Sequence, residues 1–370
     1  MLSLAVSWDL YTTTKSAVAL GNVGLVQVTP FLLFALFAGH FADRHDRRRI
    51  MLATQFLLLF ACGLLVLNFR SVPIIYGCLF LIATARTFQG PARLAVLPHV
   101  VPPETLRNAI TWNSSANEIA NVGGPAVAGI LLATVGSRAV YLVQFGFAIL
   151  TLVCFYLLRF RADAGREVST PTAKSVFEGV RFVWTDKLIL SAMSLDLFSV
   201  LFGGATALLP IYAVEILHTD ASGLGWLRAA PSIGAVVMAL TQAHFFQVQH
   251  AGRALLWSVG GFGAATVAFG LSRSLLLSLL VLVIIGALDN ISVVLRSSLV
   301  QSATPDRLRG RVLAVNNIFI SCSNQLGAAE SGWTAAWFGP VSSVVAGGAA
   351  TLMIVATFAA RSRALRNWRQ

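Results

Sequence analysis

Two long apolar runs, residues 20–38 and 50–69, flank the charged segment Gly39-His-Phe-Ala-Asp-Arg-His-Asp-Arg-Arg-Arg49. Each run is long enough to cross a bilayer core, which takes about 20 apolar residues. That limits the chain to the few architectures that satisfy every backbone group inside lipid. Arg44, Arg47, Arg48 and Arg49 fall within six positions between the two runs, and such clusters stay on the cytoplasmic side. Gly39 is expected to end a helix or to let two helices pack closely. Asp43 is expected at a helix N-terminus or against an arginine. The four arginines are expected to hold the loop at anionic headgroups.

Composition extends this reading to the whole chain. Of 370 residues, 56% are hydrophobic and only 11% charged, with a mean hydropathy of +0.76. Ordinary soluble domains carry about 25% charged residues. The net charge of +12 is explained by placement. Of 27 Lys and Arg, 19 fall on the predicted cytoplasmic side. Four fall outside (Lys15, Arg70, Arg138, Arg273), and four lie within or at the edges of spans (Arg86, Arg93, Arg228, Arg296). This skew points to a lipid bilayer as partner and away from nucleic acid. Cys62, Cys78, Cys154 and Cys322 all sit in apolar runs without C-x-x-C spacing, and read as small packing residues. No Walker loop, G-x-S-x-G or zinc pattern is present in the sequence, so neither an enzyme, an ATP-driven pump, a metal site nor a cofactor is expected.

In chain order, residues 1–11 are apolar but about half the length of a span, and residues 12–16 read as an external loop. Spans are expected near 20–38, 50–69, 73–97, 110–135 and 140–158. Six more are expected near 188–211, 222–245, 255–271, 275–294, 312–337 and 341–360. Residues 1–160 then form an N-terminal half, 161–187 a cytoplasmic linker, 188–360 a C-terminal half and 361–370 a basic cytoplasmic tail. A shift of 203 residues superposes Arg93 on Arg296, Pro102 on Pro305, Asn113 on Asn316, Asn121 on Asn324, Gly124 on Gly327 and Gly129 on Gly332. A shift of 204 brings His40-Phe41 onto His244-Phe245, with Gln247 at the place of Asp43. A near-constant offset in polar and glycine residues marks an internal duplication. The same offset places the partner of span 7 partly before Met1, so the first span is expected to be truncated.

Several residues inside the spans are candidates for function. Asn121-Val-Gly-Gly-Pro-Ala-Val-Ala-Gly129 combines small residues, which let helices approach closely in lipid, with a proline that removes a backbone donor. Gly124, Pro125 and Gly129 are therefore expected at a helix crossing. Arg86 and Asp289 occupy equivalent positions of the two halves and are expected to pair across a central cavity. Glu118, Asp196 and Glu330 are further intramembrane carboxylates, and such charges are proton or substrate sites by default. Arg93 and Arg296 are expected to snorkel to headgroups. Asp9 and Glu215 are expected to face water near span ends. Thr304-Pro305-Asp306 reads as N-cap, first-turn proline and acid at a helix start.

The order Gly-x-x-x-Asp-Arg-x-x-Arg-Arg at 39–48 resembles the loop between spans 2 and 3 of the major facilitator superfamily, with Asp46 in place of the usual second glycine. The 121–129 stretch resembles that superfamily's antiporter motif. Phe88-Gln-Gly-Pro-Ala-Arg93, Leu97-Pro98, Pro102, Asn108-Ala109 and Asp306-Arg-Leu-Arg-Gly-Arg-Val312 are similar to the branch that includes the enterobactin exporter and macrolide-efflux proteins. The resemblance implies an all-α membrane protein of two six-helix halves in parallel repeat, most often monomeric, in the bacterial inner membrane with a cytoplasmic C-terminus. It also implies proton-driven export of a small amphiphilic molecule, siderophore or drug-like, through a gating loop formed by 39–49. An importer of a small nutrient and a non-transporting scaffold are the competing readings. Charges held inside spans argue against the scaffold.

Overall fold

The computed structural model describes residues 1–68, 70–158, 173–245 and 250–368, without the side chains at 36, 39, 40, 42–44, 68, 94, 95, 98, 99, 103, 107, 173–177 and 243–245. The described residues are almost wholly helical. The first half comprises α1 (Leu2–Thr14), α2 (Ala17–Arg44), α3 (Arg47–Asn68), α4 (Val72–Val100), α5 (Leu106–Thr134) and α6 (Ser137–Leu157). A short helix, α7 (Ala173–Thr185), precedes the second half. That half comprises α8 (Lys187–Gly203), continued by a 3-10 turn, the short α9 (Leu209–Ile211) and a π turn to Ile216, then α10 (Ala221–Phe245), α11 (Ala251–Leu271), α12 (Leu275–Ala303), α13 (Asp306–Phe338) and α14 (Pro340–Arg361). The last turn is α15 (Arg363–Arg366).

Among the described residues, nine helices are long and apolar enough to cross a membrane: α2, α3, α4, α6, the α8–Ile216 segment, α10, α11, α12 and α14. Two more, α5 and α13, have 29 and 33 residues and are long enough but more polar. At 1.5 Å per residue both exceed the ~30 Å bilayer core. Their polar residues suit helices that line an aqueous space rather than lipid. Ahead of these, α1 has 13 residues. The chain is a multi-pass membrane protein.

One face of the bundle carries the α2–α3 turn and the arginine-rich end of α14, here the basic face. The core divides with depth. Away from the basic face, one apolar cluster joins both halves, from Leu4, Leu10, Ile75 and Tyr141 to Leu208, Tyr212, Leu224 and Phe269. Toward the basic face it splits. Ile50, Met51, Ala92 and Val96 form one arm in the first half. Ile189, Met193, Leu255, Leu299 and Val312 belong to a separate arm in the second. The stem is shared and the arms are not, so the halves diverge around a chamber open on the basic face. Consistent with that opening, every residue from 110 to 121 on α5 is exposed.

Two helix crossings close the stem. On α10, a Cβ placed at Gly225 would lie 2.8 Å from the Cα of Gly129 on α5 and 2.9 Å from the Pro125 carbonyl oxygen. On α2, a Cβ at Gly21 would lie 3.1 Å from the Cα of Gly332 on α13 and 3.0 Å from the Ala329 carbonyl oxygen. No side chain larger than hydrogen fits either contact without movement. Adding 204 to Gly21 reaches Gly225, and adding 203 to Gly129 reaches Gly332. The two crossings are images of one another under the internal duplication.

The described part of the connection between the halves, α7, docks on the start of α13. Glu178 and Arg311 form an ion pair there, and Gly179 abuts the Arg311 backbone. Residues 161–172 of the expected linker lie outside the described residues.

Candidate functional site

The charged segment is more helical than expected. The second helix runs to Arg44, so Gly39 does not end it, and only His45 and Asp46 separate it from α3. The α3 N-terminus is served by Asp46 rather than Asp43. Its Oδ1 accepts from the Arg48 amide at 2.9 Å, and Oδ2 lies 3.8 Å from Arg49 Nε. A carboxylate one residue before a helix start satisfies a free amide and complements the positive helix end, which is what Asp46 does in place of the motif's glycine. Arg48 donates to the Tyr156 carbonyl and lies 5.7 Å from the centre of that ring, tying α3 to the end of α6. The side chains of Asp43 and Arg44, and the surroundings of Gly39, lie outside the described residues. So does Gln247 in the second-half counterpart of the loop.

The intramembrane charges pair differently from the sequence expectation. Arg86 and Asp289 form no ion pair among the described residues. Instead Asp196 on α8 pairs with Arg296 on α12. Arg296 is 2% exposed, so it does not snorkel. Its position fell at the end of an apolar run in the sequence, but α12 runs on to Ala303 and covers it. Its Nε is buried without a hydrogen-bond partner among the described residues. Asp289, two helical turns before Arg296 on α12, shares one narrow cleft with Asp196, Ser199, Val259, Phe262 and Ser292. The cleft's cavity volume is about 10 Å³, room for roughly one water molecule. Among the described residues Asp289 has neither a hydrogen bond nor an ion pair. The neighbouring Asn290 Oδ1 is also buried and unsatisfied. The second half thus holds two carboxylates in one narrow cleft, one of them paired with the buried guanidinium of Arg296.

Glu118 lies on the exposed stretch of α5 and makes no ion pair among the described residues. Glu330 is half-buried on α13, and its carboxylate accepts from Ser331 Oγ at 3.4 Å. Arg93 donates to Asn113 Oδ1 at 3.1 Å, joining α4 to α5. Of the proposed crossing residues, Gly129 and Pro125 meet α10, whereas Gly124 is nearest to the Met1 amino group. Their partner Gly225 and the equivalent Gly21 carried no motif of their own. The offset of 203–204 applied to Gly129 and to the α10 glycines is the signal that finds them.

Of the two carboxylates expected to face water near span ends, Asp9 is corrected. Asp9 is 6% exposed and accepts from Tyr141 Oη at 2.7 Å and from Ser137 Oγ. Both donors come from α6, which covers the carboxylate. Glu215, though exposed, accepts from Tyr11 Oη, linking α1 to the π turn after α9. At 304–306, Thr304 closes α12, its hydroxyl donating to the Val300 carbonyl at 2.5 Å. Pro305 holds the N-cap position of α13. Only Asp306 stands where expected, in the first turn.

Comparisons with known proteins agree with this architecture. The sequence model described as "Transmembrane secretion effector" matches residues 1–370. The staphyloferrin A transporter of Staphylococcus aureus is 26% identical over 253 residues, covering 64% of this chain and 61% of its own; this chain therefore spans under two thirds of that relative. The multidrug efflux pump Tap of Mycolicibacterium fortuitum is 25% identical over 343 residues, 89% of this chain and 83% of its own. The enterobactin exporter EntS of Citrobacter koseri is 26% identical over 378 residues, 100% of this chain and 89% of its own. A crystal structure of a bacterial homologue of the human lysosomal transporter Spinster superposes with a TM-score of 0.77 at 16% identity, covering 99% of this chain and 95% of that one, a likeness of fold. With a family match over its full length and two duplicated helical halves around a chamber, the chain belongs to the transmembrane secretion effector family of the major facilitator superfamily of transporters.

Proposed function

We propose that this protein is a proton-coupled exporter that moves a small amphiphilic molecule, siderophore-like or drug-like, across the bacterial inner membrane by alternating access. The observation that carries this reading is the divided core: one shared stem closed by two glycine crossings, and two separate arms around a chamber on the basic face. Rocking about the crossings would close the arms and part the stem. The positive-inside tendency supports a cytoplasmic basic face, from which the chamber would be loaded. The relatives that support export are the efflux pump Tap and the enterobactin exporter.

Proton coupling rests on the α8–α12 cleft. Asp289 is the carboxylate there without a partner, and Arg296 already holds Asp196. Protonating Asp196 would release Arg296, and Asp289 lies on the same face of α12 to receive it. The chain works as a monomer in this scheme, because both halves of the pathway belong to one polypeptide.

Untargeted mass spectrometry of the medium from cells with and without the protein identifies the exported compound. Uptake of that compound into everted vesicles is expected to collapse with a protonophore. Asp289→Asn should lose uptake driven by a pH gradient and keep exchange of labelled for unlabelled compound. Unchanged media, or uptake indifferent to the protonophore, would refute proton-coupled export.

A further inference from the structure

The C-terminal turn is packed into the second half rather than trailing from it. Leu365 on α15 is fully buried, in the same apolar arm as Ile189 on α8 and Leu255 on α11. Phe358 and Ala359 at the end of α14 pack against that arm. Three hydrogen bonds pin the turn. The Gly252 amide, in the first turn of α11, donates to the Trp368 carbonyl at 3.1 Å. Ser362 Oγ donates to Ser191 Oγ on α8 at 3.1 Å. Arg366 Nη1 donates to the Ala359 carbonyl at 3.4 Å. A Cβ at Gly252 would overlap the Leu365 carbonyl oxygen, so this docking needs glycine at 252.

The internal duplication shows what the turn replaces. Its offset of 204 holds here bond for bond. The Ile50 amide donates to the Asp46 carbonyl and the Ala254 amide to the His250 carbonyl, both at 3.1 Å. Leu158 closes α6 on the Cys154 carbonyl as Ser362 closes α14 on that of Phe358. Asp46 therefore corresponds to His250, Arg48 to Gly252 and Tyr156 to Ala360. In the first half, Asp46 accepts from the Arg48 amide, and the Arg48 guanidinium donates to the Tyr156 carbonyl. The carboxylate serves a free amide at the helix start, and the guanidinium joins α3 to α6. In the second half, His250 makes no side-chain cap among the described residues, and Gly252 has no side chain to reach α14. The Trp368 carbonyl serves the amide instead, and Leu365 fills the space between the helices.

We propose that residues 362–368 are a strap that does for the second half what Asp46 and Arg48 do for the first, holding α8, α11 and α14 as one rigid arm. Rocking requires each half to move as a unit, and that consequence rests on the alternating access proposed above. The docking and stabilising role of the strap does not.

The test uses the full chain purified in dodecyl maltoside. Trypsin cleavage at Arg363 and Arg366 reads docking, and hydrogen–deuterium exchange reads the rigidity of each arm. In the parent, both sites are expected to be cut slowly although both arginines are exposed, because docked backbone does not fit a protease. Leu365→Asp is expected to speed cleavage about tenfold or more and to raise exchange in 187–192 and 251–255. Exchange in 47–51, the equivalent place in the first half, is expected to stay at the parent's rate. Arg48→Gln is expected to do the reverse. Gly252→Arg in the intact chain is expected to release the strap and speed cleavage as Leu365→Asp does. Deleting 362–370 is expected to lower the melting temperature by roughly 5 °C. His250→Asp with Gly252→Arg, added to that deletion, is expected to restore most of the loss.

Cleavage of the parent as fast as of Leu365→Asp overturns the proposal, as does faster exchange spread equally over both halves. A deletion that melts with the parent overturns it too. So does a deletion that His250→Asp with Gly252→Arg restores no better than His250→Ala with Gly252→Ala. A strap that meets each expectation in a protein that exports nothing would keep this inference and remove only the export reading. Export by a protein whose deletion melts unchanged would do the reverse.

Discussion

Asp196 on α8 and Arg296 on α12 are joined in an ion pair with side chains 11% and 2% exposed. The pair binds the first and fourth spans of the second half, whose separate arm of the core includes Ile189, Met193 and Leu299. Removing one partner of such a pair leaves an uncompensated buried charge, and about 3–5 kcal/mol is the usual cost. Arg296→Met or Asp196→Asn alone should lower the melting temperature in detergent markedly. The double variant should recover much of the loss, since the remaining side chains are neutral. A double variant as unstable as the sum of the singles would show that the pair contributes through separate contacts.

The glycine crossings predict a conformational shift rather than simple unfolding. Gly225→Val and Gly332→Val overfill contacts where even a methyl group meets the opposing backbone. Overpacking costs ~1–3 kcal/mol, and only the conformation with a closed stem bears it. Both substitutions should move the protein toward a state with its arms closed. In a cysteine-free background, a cysteine at Asn117, on the exposed stretch of α5, should then label more slowly with a bulky thiol reagent. The two variants should behave alike, because the crossings are related by duplication. Unchanged labelling in both would mean that the stem does not open.

Across the stem, Tyr11 on α1 donates to Glu215 on the far side of α9, bridging the two halves away from the basic face. Glu215 is exposed, so solvent screens the contact and roughly 1 kcal/mol is expected. Tyr11→Phe and Glu215→Gln should each open the stem slightly, read as faster labelling of a cysteine at Asn22. The double variant should open it no further than either single one, since both remove the same bond. Additive effects would break the link.

At the start of α10, Asp220 accepts from the Ser222 hydroxyl at 2.6 Å and the Gly223 amide at 3.0 Å. These bonds hold its carboxyl below the ordinary range, the Ser222 hydroxyl contributing most. A depressed value means stability that is present above the ordinary carboxylate range and lost as pH falls through the folded value. Asp220→Ala should cost about 1 kcal/mol at neutral pH and nothing in strong acid, where the parent has lost the bonds as well. A deficit independent of pH would assign the effect to packing.

Much of the fold was legible because lipid imposes one rule on every span: about 20 apolar residues with their backbone bonds made internally. That rule located α2, α3, α4, α6, α10, α11 and α14 from hydropathy alone. It blurred at α8, where Gly204 interrupts the helix and a π turn extends the span to Ile216, because hydropathy does not register backbone breaks. In the sequence the charged segment reads as a loop because eight of its eleven residues are charged or histidine. A helix can nonetheless continue past a bilayer's edge into water, as α2 does. An offset of 203 links Gly129 to Gly332 and one of 204 links Gly21 to Gly225, but which glycine meets which is visible only at the crossing itself.

The pairing of charges was not legible at all. The duplication suggested Arg86 with Asp289 because they are equivalent in sequence, and equivalence under a two-fold relation does not imply contact. Arg296 lies closer to Asp196 because both belong to one half, packed in one arm of the core.

The sequence by itself determined a duplicated, multi-pass helical chain and the family it resembles, because span length, charge asymmetry and a repeat offset are properties of the linear chain. Only the tertiary structure decided which face of the chamber is open, which arginine is buried with Asp196, and which glycines meet at the two crossings. Those facts depend on the angle at which two rigid halves meet, and that angle is set by backbone contacts at glycines whose meaning appears only when the opposing helix is in place.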